Sequence, residues 1–83
     1  MRLDVALHAL RLYKSRSQAQ AAVTAGDVLL NGERRKPSHE VRPGDRLTFT
    51  AESRHRTLEV MELPQGSLSK DAARALVREV GAE

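Results

Sequence analysis

The strongest constraint on the fold of this chain is a helix with both of its ends marked in the sequence. Ser15-x-x-Gln18 has the form of a capping box, in which the serine oxygen accepts from an early helix N–H and Gln18 reaches back to the cap. An uncharged, alanine-rich run follows from Ser17 to Ala25, and Gly26 supplies a left-handed stop. Two cations, Lys14 and Arg16, sit at the start of this helix. They are badly placed for stability, because the positive end of the helix dipole prefers carboxylates. Free amides beside two cations make a cradle for phosphate instead.

Upstream, Leu3, Leu7 and Leu10, with Ala6 beside them, follow helical spacing and predict a first helix from about Leu3 to Leu12. Tyr13-Lys14 is then a very short connection to the second helix. Ala19, Ala22 and Val23 give that second helix a small-residue face against which a neighbour can pack closely. Downstream, Val28-Leu29-Leu30 runs into Asn31-Gly32, a strong hairpin signal, with the chain returning through Arg34-Arg35-Lys36 until Pro37-Ser38 interrupts it. Val41 leads into a turn at Pro43-Gly44-Asp45. Leu47 and Phe49 alternate with Thr48 and Thr50 as a half-buried strand, which makes Phe49 a core residue. A polar tip at residues 52–56 precedes a second strand carrying Leu58 and Val60, broken by Pro64-Gln65-Gly66.

Ser69 can cap a final helix with Asp71 in its first turn. Ala72, Ala73, Leu76, Val77 and Val80 provide its apolar stripe, and Gly81 its stop. The order is that of a small α+β domain: two N-terminal helices packed on a short antiparallel sheet, plus a C-terminal helix. The 83 residues suffice for one such unit, with residues 1–63 as its body and residues 64–83 as a helical extension of it. The absence of cysteine excludes disulfides and thiolate metal sites and fits a reducing cytoplasm. No apolar stretch approaches the roughly 20 residues of a membrane helix, and Met1-Arg2-Leu3-Asp4 does not begin a signal peptide. A cytoplasmic protein is expected.

Charge is unevenly spread. Residues 1–46 carry nine Lys/Arg against five Asp/Glu, whereas residues 47–83 carry five against six. An acidic partner such as nucleic acid would therefore dock on the front half. Tyr13 and Phe49 are the only aromatic residues, which argues against recognition of single-stranded nucleic acid by base stacking and for readout by backbone and shape. Tyr13 either stacks on a base or covers the joint between the helices. His8, His39 and His55 lie at no metal-ligand spacing, and no nucleophilic triad, phosphate loop or catalytic carboxylate pair can be assembled. Neither a metal, nor a cofactor, nor catalysis is expected.

Five segments in order, Arg2-Leu3-Asp4, Arg11-x-Tyr13-Lys14-Ser15-Arg16-Ser17-x-Ala19, Gly26-x-Val28-x-x-Asn31-Gly32, Lys36-Pro37-Ser38 and Pro43-Gly44-Asp45, resemble an S4 RNA-binding domain. Within that superfamily the chain looks most like the heat shock protein 15 group and its compact bacterial relatives, the ribosome-associated quality control factors that stabilise P-site transfer RNA. The resemblance implies an S4-type (αL-like) fold. Its partners would be ribosomal RNA and P-site transfer RNA on a large subunit holding a stalled chain, together with a quality-control factor on that chain. The protein would act as a monomer without enzymatic activity.

By position the resemblance makes Arg2, Arg11, Lys14, Arg16 and Lys36 phosphate contacts, while Ser15, Ser17, Gln18 and Asn31 shape the surface or donate hydrogen bonds. Arg34 and Arg35 join them beside the hairpin, although such a basic run also suits a solvated strand edge. Arg11 alone would equally stabilise a helix C-terminus. Asp4 is expected to orient an arginine or to serve the helix start, and Asn31-Gly32 to serve first as a turn. The family usually has lysine where this chain has Val5, so one cation is missing. An accessory RNA-targeting domain acting in trans for an RNA-modifying or tRNA-charging enzyme is the second reading, and an adaptor for acidic protein the third.

Overall fold

A computed structural model describes residues 1–51, 53–66 and 68–80. The chain runs α1 (Leu3–Ala9), α2 (Arg16–Ala25), β1 (Val28–Leu30), β2 (Arg46–Ala51), β3 (Arg54–Val60), α3 (Lys70–Arg74) and β4 (Val77–Val80). The four strands form one antiparallel sheet in sequential order. Period-two alternation puts Val28, Leu30, Leu47, Phe49, Leu58 and Val60 on its inner face, all buried. Leu3, Ala6, Leu7 and Leu10 of the α1 region, Ala19 and Val23 of α2, and Val41 complete the core.

Both front helices end by the same device. Beyond α2, Gly26 is left-handed (φ 86°), the Gly26 N–H bonds to Val23 O, and the Asp27 N–H bonds to Ala22 O. At the start of that helix Ser15 Oγ accepts from the Gln18 N–H at 3.1 Å, half of the expected capping box. The Gln18 side chain makes no return bond among the described residues. The first helix stops sooner than its leucine spacing predicts. Arg11 takes φ 62° and donates its N–H to His8 O, while the Leu12 N–H bonds to Leu7 O. This is a Schellman stop with arginine where glycine is usual, so Leu10 and Leu12 pack against the core from a turn.

The N-terminus of α1 has no side-chain cap. Instead the Leu3 N–H donates to His39 O at 2.8 Å and the Asp4 N–H to Pro37 O at 3.1 Å. The Val5 N–H is taken by Asp4 Oδ1 at 2.8 Å. Two of the orphan amides of the first turn, those of Leu3 and Asp4, are thus satisfied by a segment more than thirty residues away. That segment also carries the Arg2–Glu40 bridge and the bond from the Val41 N–H to Met1 O.

The chain after Asn31-Gly32 therefore departs from the expected hairpin. The turn itself forms, with φ of 53° and 82° and reciprocal Leu30–Glu33 hydrogen bonds. Yet only Glu33 pairs back, and β1 takes β2 as its partner, with Val28 opposite Phe49 and Leu30 opposite Leu47. Residues 34–41 turn away to complete α1.

The tail differs more. Ser69 caps α3 as expected, Oγ accepting from the Ala72 N–H at 3.2 Å, but the helix ends at Arg74. Val77–Val80 becomes β4, pairing with β3 so that Val60 faces Val77 and Glu59 faces Arg78. β-Branched Val77 and Val80 favour a strand, and the free edge of β3 supplies a hydrogen-bonding template that a second turn of helix would leave bare. The Arg78–Glu59 pair (2.8 Å) and the two-pronged Arg56–Glu79 pair (3.0 and 3.2 Å) tie the strands together. The stop predicted at Gly81 lies outside the described residues.

Candidate nucleic-acid interface

Asp4 is the centre of the basic surface. It is fully buried, and every oxygen of its carboxylate is in use. Oδ1 accepts from Arg2 Nε (3.1 Å) and the Val5 N–H (2.8 Å); Oδ2 accepts from Arg2 Nη2 (3.1 Å) and, at a longer 3.4 Å, from Arg16 Nε. Burial pushes its pKa up, but the Arg2 hydrogen bonds, the Val5 N–H and the Arg16 contact outweigh that and hold it below its ordinary value. The carboxylate is therefore ionised at neutral pH.

Two guanidiniums share this one carboxylate, so the cluster keeps a net positive charge. Arg2 and Arg16 remain 45% and 54% exposed. One edge of each is anchored on Asp4, and Arg2 Nη1 and both Arg16 Nη atoms make no hydrogen bond among the described residues. Lys36 precedes Pro37, whose carbonyl accepts from the Asp4 N–H. Lys14 stands two residues before Arg16, exposed and with no side-chain partner among the described residues. Ser17 and Gln18 are exposed on the first turn of α2, whereas the Ser15 hydroxyl is committed to the cap.

Other expected contacts are drawn elsewhere. Arg34 Nη2 donates to Thr24 O at 3.1 Å, over the C-terminal end of α2, and its guanidinium lies 3.0 Å from where a Cβ on Gly26 would stand. A ten-residue helix of about 15 Å separates that end from Arg16. Arg35 pairs with Glu33 at 2.6 Å. Asn31 spans the sheet end, its Nδ2 donating to Asp45 Oδ1 and its Oδ1 accepting from the Arg46 N–H. Arg11 lies at the other end of α1 from Arg2 and donates to Leu68 O at 3.0 Å.

Tyr13 is half-buried, its ring 6.5 Å from that of Phe49 and tilted by 58°, so it closes the joint between helices and sheet. Burial, and after it the charge of Asp27, raise its phenol pKa. Lys70 and Arg74 escaped the sequence reading. They line clefts with Arg11 and Lys14, and no local spacing signals a meeting across more than fifty residues.

The chain has relatives among known proteins. The S4 domain family model matches residues 1–47, which span α1, α2, β1 and the start of β2. The RQC P-site tRNA stabilizing factor of Bacillus subtilis (strain 168) is 37% identical over 73 residues, covering 88% of this chain and 85% of that protein. A heat shock protein 15 homolog of Aeromonas salmonicida is 33% identical over 82 residues; 99% of this chain spans 62% of that protein's length. A trimeric structure of heat shock protein 15 from Vibrio cholerae matches with a TM-score of 0.92 at 35% identity, over 96% of this chain and 81% of that one. With its front half built as two short helices joined at a buried aspartate and its relatives matching nearly end to end, the chain belongs to the S4 domain family, alongside the RQC P-site tRNA stabilizing factor and heat shock protein 15.

Proposed function

We propose that this protein binds ribosomal RNA and P-site transfer RNA on a large ribosomal subunit carrying a stalled nascent chain. It holds the peptidyl-transfer RNA in place in the cytoplasm and performs no chemistry of its own. The observation that carries the reading is the buried Asp4 holding the half-exposed Arg2 and Arg16 together at the start of the two front helices.

A guanidinium is a planar fork matched to phosphate oxygens, and fixing one edge removes part of the rotamer entropy that binding would otherwise cost. With its neighbouring lysines the cluster suits the backbone of folded RNA. The two aromatic rings pack against each other, which favours contact by shape and charge over base stacking. The Bacillus subtilis relative, a P-site tRNA stabilizing factor, supports a ribosomal target in particular.

The test is co-sedimentation of a Lys14→Gln, Arg16→Gln double variant with large ribosomal subunits. Glutamine is chosen because a carboxylate at position 16 would face Asp4 and disturb the fold. Binding should be lost while the circular dichroism spectrum stays that of the unmodified protein. Undiminished binding by the double variant would refute the assignment.

A further inference from the structure

Two adjoining clefts open beside the C-terminal end of α1. The larger, of about 520 Å³, is lined by Leu10, Leu58 and Val77 and by the cations Arg11, Lys70 and Arg74. The smaller, of about 420 Å³, brings Tyr13 and Lys14 up to the same Arg11 and Lys70. Their common walls make one groove, running from Lys14 at the α1–α2 corner to Arg74 on α3. Among the described residues one carboxylate, Glu79, lines it, and both its oxygens are held by Arg56. Asp71, also on α3, is not among the lining residues. Lys14, Lys70 and Arg74 are exposed and have no side-chain partner among the described residues.

Four like charges thus converge from two distant stretches of chain with no counter-charge of their own among the described residues. Arg11 brings this about. Its backbone sits at φ 62°, and its Nη1 bond to Leu68 O ties the run before α3 to the corner, setting Lys70 beside Lys14. Large exposed apolar anchors, the usual centre of a protein interface, are missing here: Met61, the exposed large hydrophobe among the described residues, lies outside the groove. Cationic walls over leucine and valine suit a sugar–phosphate chain, whose charge is regular and whose sugars are weakly polar.

We infer that this groove is a second RNA-binding surface, in which Lys70 and Arg74 contact phosphates of an RNA segment different from the one held at Arg2, Arg16 and Lys36. Both residues lie outside the span matched by the S4 family model. Lys14, two positions from Arg16, is the junction, so RNA would wrap around the helical corner. The identity of the ligand as RNA rests on the function proposed above; the groove itself does not.

The experiment measures binding of the full chain to purified large ribosomal subunits carrying transfer RNA, at several salt concentrations. The unmodified protein is compared with Lys70→Ala, Arg74→Ala and with Arg16→Gln. Loss of two phosphate contacts should flatten the slope of log affinity against log salt by about 1.4 to 1.8. With the 1 M value unchanged, that corresponds to roughly 25- to 60-fold weaker binding at 0.1 M. A thermal melt matching the unmodified protein shows that the fold is kept, as expected for exposed side chains without partners. An unchanged slope overturns the inference, whether affinity is retained or falls by contact with a ribosomal protein. Full binding by Arg16→Gln would instead strike at the function proposed above and leave the groove result readable.

Discussion

Replacing Asp4 by asparagine separates placement of charge from its amount. The change is nearly isosteric and raises the formal net charge by one from +3. If RNA affinity followed bulk charge, D4N would bind more tightly. In the structure Asp4 is what holds two guanidiniums in position, and an amide cannot accept from both arginines while presenting its own N–H₂ to one of them. Breaking a buried ion pair typically costs about 3–5 kcal/mol. Here Arg2 and Arg16 are 45% and 54% exposed and can turn to water, so a cost of about 2–3 kcal/mol is expected.

For a domain of 83 residues that is a fall of roughly 10–20 °C in Tm. The pH dependence follows from the lowered pKa of Asp4. Between the folded value and the unfolded 3.8 the unfolded chain binds more protons, so the stabilisation is complete above 3.8 and fades as pH falls through the folded pKa. Thermal melts followed by circular dichroism at pH 7 and at successively lower pH should show the D4N deficit persisting to about pH 4 and closing below it. Ribosome binding at pH 7, measured below the Tm of the variant, should weaken despite the added charge. A Tm within about 3 °C of the parent, or tighter RNA binding, would refute the reasoning.

The remaining expectations are simpler to read. If five to seven phosphates are neutralised, log affinity for RNA should fall against log salt with a slope of roughly −4 to −6; a slope near zero would exclude a phosphate interface. Asn31→Ala, which loses two exposed hydrogen bonds and a left-handed conformer that asparagine tolerates, should cost about 2 kcal/mol in chemical denaturation. Its affinity per folded molecule should be unchanged, since its contacts are to Asp45 and Arg46. Gly26→Ala sets a Cβ 3.0 Å from the Arg34 guanidinium at φ +86° and should destabilise by about 1–2 kcal/mol in the same assay.

What could be read from the sequence was local. The cap at Ser15, the stop at Gly26 and the turn at Asn31-Gly32 each depend on a few adjacent residues, and each formed. Asp4 was legible as an arginine's partner because Arg2 is its near neighbour, but the second partner, twelve residues on, needed the helix pair. The return from Asn31-Gly32 was misjudged because strand choice is settled by long-range pairing, and β2 offers β1 a longer apolar match than residues 34–36 do. The tail failed for a related reason. Leu76, Val77 and Val80 fit a helical stripe as well as a strand, and only the open edge of β3 decides between them. Lys70 and Arg74 could not be assigned to the basic surface before that folding-back was known.

The dependence of α1 on the carbonyls of Pro37 and His39 has a consequence for how the protein is made. Seven residues are too few for a helix to persist unaided, and its leading amides find their acceptors only once the ribosome has extruded the chain past His39. The first helix to be synthesised is thus among the later ones to be secured. Until then Asp4 has no buried setting, and the arginines it anchors remain mobile. A nascent copy would emerge with its Arg2–Asp4–Arg16 cluster unformed.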